Sequence, residues 1–165
     1  MTRVVVCDTG PLIHLSEAGA LHLLSTAGDI LVPPLVADEY EANTQGWKPP
    51  HWVKINELAA ISIKRANDWT QSKIIDAGEA QAISLAMQVN AQWLLTDDAR
   101  ARQMAESLGL EVHGSIGLLL WNATTGHISD ATQAMKFLDD LSSSSLWISD
   151  RVVAEARKAI TELYR

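Results

Sequence analysis

The chain has 165 residues, 47% of them hydrophobic, enough to bury one sizeable core, so a single domain spanning 1–165 is expected. Its 20 acidic and 13 basic residues leave a formal charge of -7, which argues against a broad basic surface gripping nucleic acid by phosphate neutralisation. No apolar run reaches about eighteen residues, and the opening MTRVVVCDTGP meets an aspartate too early for a secretory leader, so a soluble, cytoplasmic protein with no membrane partner is expected.

Apolar runs bounded by turn residues alternate with segments of helical period, the pattern of an α/β domain with a mostly parallel sheet. The first run, 4–7, reads as a strand and contains the lone Cys7, a small core residue that can form neither an intrachain disulfide nor a thiolate cluster. A helix over 11–18 opens near Pro11, and a second over 20–26 stops at Gly28. After a strand at 30–32, Pro33 and Pro34 open a helix carrying Leu35 to Glu41. Residues 43–51, with Gly46, Pro49 and Pro50, form the clearest loop, and its Trp47, with the adjoining Trp52, would cover an edge or line a groove. The stretch 55–73 is mixed, with a short strand or helix before Asp76. A strong helix at 77–90, a strand at 93–96, a helix at 97–108 with Gly109 as its C-cap and a strand at 111–113 follow. Three helices complete the chain, at 115–125, 129–141 and 149–164. Each opens on a serine placed as an N-cap, with residues 142–145 linking the last two.

Acids recur at informative places. Asp8 directly follows the first strand, where chemistry in open α/β sheets collects, though it would also serve as a helix cap. Glu39 shares a helix face with Leu35, Val36 and Ala42, whereas Asp38 and Glu41 lie with the polar positions, and a carboxylate on a buried stripe needs a partner. Glu79 has Ile83 and Ala86 on its face, but Asp76 three residues earlier makes a capping box a competing account. Gly78 in that first turn costs about 1 kcal/mol relative to alanine, which a close backbone approach would explain. Asp97 and Asp98 follow the strand at 93–96, where one is explained by the helix dipole and adjacent like charges call for a cation. Thr96 is placed to cap that helix.

The five histidines have no spacing such as HExxH, and the converging ligands are all oxygen. That set calls for Mg²⁺ or Mn²⁺, and such ions act on phosphoryl oxygens by activating water and stabilising the leaving oxygen. No GxxxxGK[ST], GxGxxG or GxSxG motif is present.

Four segments in order, VVCDTGPLI from Val5, VPPLVADE from Val32, DAGEAQAI from Asp76 and LLTDDARAR from Leu94, resemble the PIN-domain family, in its branch of VapC-type toxins. The later GSIGLL from Gly114 is similar to the next segment of that branch. The resemblance implies a PIN-like three-layer α/β/α sandwich, Mg²⁺- or Mn²⁺-dependent cleavage of RNA, frequent homodimers and a small antitoxin partner. It places Asp8 and Glu39 as the first two family acids and offers Glu79 as the third, where many relatives carry an aspartate later in the helix. For the last acid the usual Thr-x-Asp spacing favours Asp98 over Asp97, and both remain candidate ligands. Thr9 would position Asp8 or a water, unless it is a turn former, and Ser115 would border the site, unless it is a cap. A second reading is a PIN-like protein that lost activity and binds RNA or regulates. An aspartate phosphotransferase is disfavoured because Gly10 stands where its second acid would be.

Overall fold

In a computed structural model describing residues 2–44 and 50–165, the central strand β1 (Val4–Cys7) lies between β2 (Asp29–Val32) and β4 (Trp93–Leu95). Strands β3 (Val53–Ile55) and β5 (Val112–His113) form the edges, giving the order β3-β2-β1-β4-β5. Every pairing is parallel, with Val5 in register with both Ile30 and Trp93, and Leu94 with Val112. The sheet of the described residues is thus wholly parallel. It is covered on both faces, which is why its central strands read as unbroken apolar runs.

The alternation of side chains along β1 sorts the helices into two layers. Val5 and Cys7 face a core shared with α1 (Thr9–Glu17), α2 (Pro34–Asn43), α6 (Ser115–Thr124), α7 (Ala131–Ser142) and α8 (Asp150–Leu163). Val6 and Leu94 face a smaller core built by α3 (Ala60–Gln71), α4 (Ala77–Gln88) and α5 (Ala99–Ser107). The result is a three-layer α/β/α sandwich. After β1 the chain builds the sheet outward through β2 and β3, then returns to β4 on the other side, so the order reverses between β1 and β4. In parallel sheets that reversal opens a crevice at the carboxyl ends of the two strands. Asp8 and the Asp97/Asp98 pair both leave the sheet at that point.

Several boundaries differ from the expectation. Residues Leu21–Ala27 wind as a 3-10 helix, and the Ser25 and Thr26 hydroxyls donate to the carbonyls of His22 and Leu23, three residues back. The mixed stretch 55–73 contains α3, and β3, which the sequence did not mark, ends at its first residue. Helix α6 is capped by Gly114 rather than Ser115, whose hydroxyl is drawn to Asp97, and α7 by Asp130 rather than Ser129. Ser149 does cap α8, its hydroxyl accepting from the Val152 amide. Trp47 lies outside the described residues, while Trp52 is half-buried against the larger core. Among the described residues no helix is long and apolar enough to cross a membrane.

Candidate active site

Asp8 continues the sheet by one hydrogen bond, its amide donating to the Leu95 carbonyl at 2.9 Å, and then caps α1. Its Oδ1 accepts from the Thr9 amide at 2.8 Å and its Oδ2 from the Thr96 hydroxyl at 3.0 Å. Cap and site residue are therefore the same group. Only 5% exposed, the carboxyl is raised from 3.8 to about 7 by burial. The charges of Asp76 and Glu39 add to the rise, against the lowering by Thr9 and Thr96.

Glu39 is half-buried at the margin of the α2 stripe that buries Val36, Ala37 and Tyr40. Ala42, expected on that stripe, is exposed, because the last turn of α2 leaves the core. Glu39 Oε2 accepts from the Thr9 hydroxyl at 2.5 Å, so Thr9 holds Asp8 through its amide and Glu39 through its side chain. The Glu39 carboxylate lies against the first turn of α4, where a Cβ built on Gly78 would stand 2.5 Å from Oε2. Gly78 is the close approach that its helix position suggested.

On the same helix the capping box is formed. The Glu79 amide donates to Asp76 Oδ1 at 2.8 Å, and the Asp76 amide donates to Glu79 Oε2 at 3.2 Å. Glu79 nonetheless borders the cleft and is raised from 4.5 to about 8, first by desolvation, then by the charges of Asp76, Asp98 and Asp8. Capping and membership of the acidic cleft are compatible.

The adjacent pair divides its work. Asp98, exposed, is the N-cap of α5 and accepts from the Ala101 amide at 2.8 Å, while the Asp98 amide donates to Thr96 Oγ1 at 3.3 Å. Thr96 is thus not the cap that its position suggested, since its hydroxyl serves Asp8 and receives the Asp98 amide. Asp97 turns inward, where Oδ1 accepts from the Ser115 amide at 2.7 Å and Oδ2 from the Ser115 hydroxyl at 2.6 Å. His14 Nδ1 lies 2.7 Å from the same Oδ2. Burial would raise Asp97, but the hydrogen bonds from His14 and Ser115 outweigh it and hold the carboxyl below its ordinary value. His14 was not singled out by the sequence; its signal is a place one helical turn after Gly10, on the α1 face that meets the cleft.

Asp8, Glu39, Asp76, Glu79, Asp97 and Asp98 line one cleft of about 530 Å³, together with Thr9, His14 and Trp147, and among the described residues no lysine or arginine lines it. Carboxylates gathered in this way are chemically suited to a hard divalent ion, and each has acceptor capacity beyond its protein hydrogen bonds. Among the described residues, no group of three His, Cys, Asp or Glu side chains is placed to hold a metal ion, and each cleft acid accepts from a protein donor. Arg3 lies at the opposite, amino end of β1, donating to the Ala27 carbonyl and stacked 3.9 Å over Trp93. Arg102 borders a neighbouring pocket, Arg100 and Lys73 border another that Asp76, Glu79 and Asp98 share, and Lys48 falls outside the described residues.

A parallel sheet with acids gathered at the carboxyl ends of its central strands suits hard-cation chemistry on phosphate oxygens. A family profile described as PIN domain matches residues 4–162, from β1 into α8, and the chain belongs to the PIN-domain family. Its architecture is that of a nuclease fold. No curated protein matches the chain.

Proposed function

We propose that this chain is a Mg²⁺- or Mn²⁺-dependent endoribonuclease, a single domain acting in the cytoplasm as the toxin of a toxin–antitoxin pair. The observation that carries the nuclease reading is the cleft itself: six acidic residues border one space, and among the described residues no lysine or arginine borders it. Asp8, Glu39 and Glu79, with Asp98, would hold the ion, and Asp97 borders them. A bound ion supplies an activated water and charge stabilisation for the leaving oxygen of a phosphodiester. The chain's own part is positioning. Thr9 and Thr96 fix the Asp8 carboxylate, Thr9 draws Glu39 towards it, and Gly78 leaves the room Glu39 occupies. Asp97 ties α1 to α6 through His14 and Ser115 and closes one wall.

The toxin role, a small antitoxin partner and a homodimer rest on the resemblance of the four acidic segments to VapC-type toxins. The alternative, an inactive PIN-like protein that binds RNA, draws on the engagement of every candidate acid by protein donors. Purified protein incubated with RNA and Mn²⁺ separates the two. Metal-dependent cleavage that disappears in Asp8→Asn and Glu39→Gln supports the nuclease, whereas tight RNA binding without turnover at any divalent concentration supports the alternative.

A further inference from the structure

The linker between α7 and α8 presents an aromatic residue that the chemistry above does not use. Trp147 is 85% exposed, the highest value among the large hydrophobic side chains of the described residues. The other described tryptophans are wholly or partly buried. Single exposed apolar residues are ordinary on protein surfaces. Trp147 differs in its place, because it borders both the acidic cleft and an adjoining pocket of about 290 Å³ that contains Arg102, His113 and Gly114. Leu146 and Asp97 border both spaces as well, so the two pockets adjoin along Asp97, Leu146 and Trp147.

The linker is also pinned. The Ser145 amide donates to Glu17 Oε2 at 3.1 Å, and the Ser145 hydroxyl donates to Glu17 Oε1. The Leu146 amide donates to Ser144 Oγ at 3.2 Å, and Ser149 starts α8. The backbone on either side of Trp147 is thereby held, while its indole stays exposed. In the adjoining pocket, Arg102 donates to the Val112 carbonyl at 3.4 Å, and its guanidinium passes over Gly114, where a Cβ would stand 3.2 Å from Nη2.

We propose that Trp147 is a stacking platform for a nucleobase next to the scissile phosphate of single-stranded RNA, with the following phosphate reaching Arg102 in the adjoining pocket. The inference deepens the nuclease reading and rests on it for the position of the phosphodiester. The chemistry favours nucleic acid over a protein partner here, since an acidic space suited to a cation adjoins, at the indole, a pocket that holds a guanidinium. That arrangement matches the repeat of phosphate, base and phosphate along a single strand. An indole accepts any base by its π-face but requires it to be unstacked, which selects single strands over duplex.

Base stacking on an aromatic residue is worth about 1–3 kcal/mol, or about 5- to 150-fold in affinity. The test is steady-state cleavage of a short fluorogenic single-stranded RNA in Mn²⁺, with polarisation binding of the same labelled strand to Asp8→Asn and to the double variant with Trp147→Ala. Trp147→Ala is expected to raise KM and Kd by about tenfold while leaving kcat and melting temperature nearly unchanged, and Trp147→Phe to restore most of the affinity. Unchanged KM in Trp147→Ala overturns the platform, as does an equal loss in Trp147→Phe. Trp147-dependent self-association with KM unchanged assigns the face to protein contact and also overturns it. Wild-type cleavage indifferent to position 147 removes the platform and keeps the nuclease. Trp147-dependent binding without cleavage keeps the platform and removes the nuclease.

Discussion

Gly78 and Glu39, on different helices, occupy one space: a Cβ at Gly78 would stand 2.5 Å from Glu39 Oε2 and 2.6 Å from Oε1. Replacing an exposed helical glycine with alanine ordinarily gains up to about 1 kcal/mol. Here the added methyl displaces a carboxylate at the far end of a flexible side chain, so the fold can absorb it while the site cannot. Gly78→Ala should melt within a few degrees of wild type yet lose about tenfold or more in Mn²⁺ affinity and RNA cleavage. Calorimetric titration beside a melting curve measures both, and a variant with full metal affinity would show that Glu39 is not a ligand.

The raised carboxyls make stability depend on pH in an unusual direction. Asp8 is held near 7 and Glu79 near 8, against 3.8 and 4.5 for the free groups. A raised acid binds its proton more tightly in the folded chain than in the unfolded one, so the metal-free protein loses stability as pH rises between the two values. Below about pH 4 these groups contribute no slope; from there to about 8 the melting temperature should fall. Metal binds the deprotonated carboxylates and should reverse the trend, so Mn²⁺ raises the melting temperature more at pH 8 than at pH 5.5. Asp8→Asn should flatten the lower part of the metal-free profile. A metal-free melting temperature that climbs from pH 5 to 8 would contradict both the burial and the mutual repulsion.

Asp76 and Glu79 separate capping from charge. Glutamine at the third helical position can still accept from the cap amide, and asparagine caps as well as aspartate. Glu79→Gln should therefore keep or slightly increase stability at pH 8 while weakening metal binding. Asp76→Asn should keep the cap and lower the Glu79 pKa from about 8, since the Asp76 charge is one of its causes after desolvation. Carbon-detected NMR titration of the Glu79 carboxyl would register the change.

The parts of the fold that were legible in the sequence are those where burial is uniform. β1 and β4 are covered on both faces, so their apolar runs name them, and Asp8, Glu39, Glu79 and the Asp97/Asp98 pair do line one cleft. β3 was obscured because it is an edge strand in which Val53 alone is buried. α3 was obscured because it exposes Ile61 and Ile63 and buries Ser62 and Ala66, with Ser84 donating to the Ser62 carbonyl, so its apolar residues mark the wrong face. His14 and Trp147 reach the site only through tertiary placement, one by pairing with a residue 83 positions away and the other on a linker tied to Glu17. Neither relation leaves a periodic trace.

The two adjacent aspartates make opposite predictions. The Asp97 carboxylate accepts from the Ser115 amide, the Ser115 hydroxyl and His14, joining α1 and α6 across the carboxyl end of β4. Asparagine removes the charge and puts a donor at the Oδ2 position, so the Ser115 hydroxyl and His14 Nδ1 must both turn from donating to accepting there. Asp97→Asn should cost about 1–3 kcal/mol in denaturant unfolding, and His14→Ala a smaller part of that. Asp98 is exposed and its structural duty is to cap α5, which asparagine performs equally well, so Asp98→Asn should unfold at an unchanged denaturant midpoint. If Asp98 holds the ion, that variant loses metal-dependent cleavage while keeping wild-type stability. The opposite pattern, with Asp97→Asn stable but unable to bind Mn²⁺ and Asp98→Asn fully active, would move the ligand to Asp97 and leave the link between α1 and α6 to His14 and Ser115 packing alone.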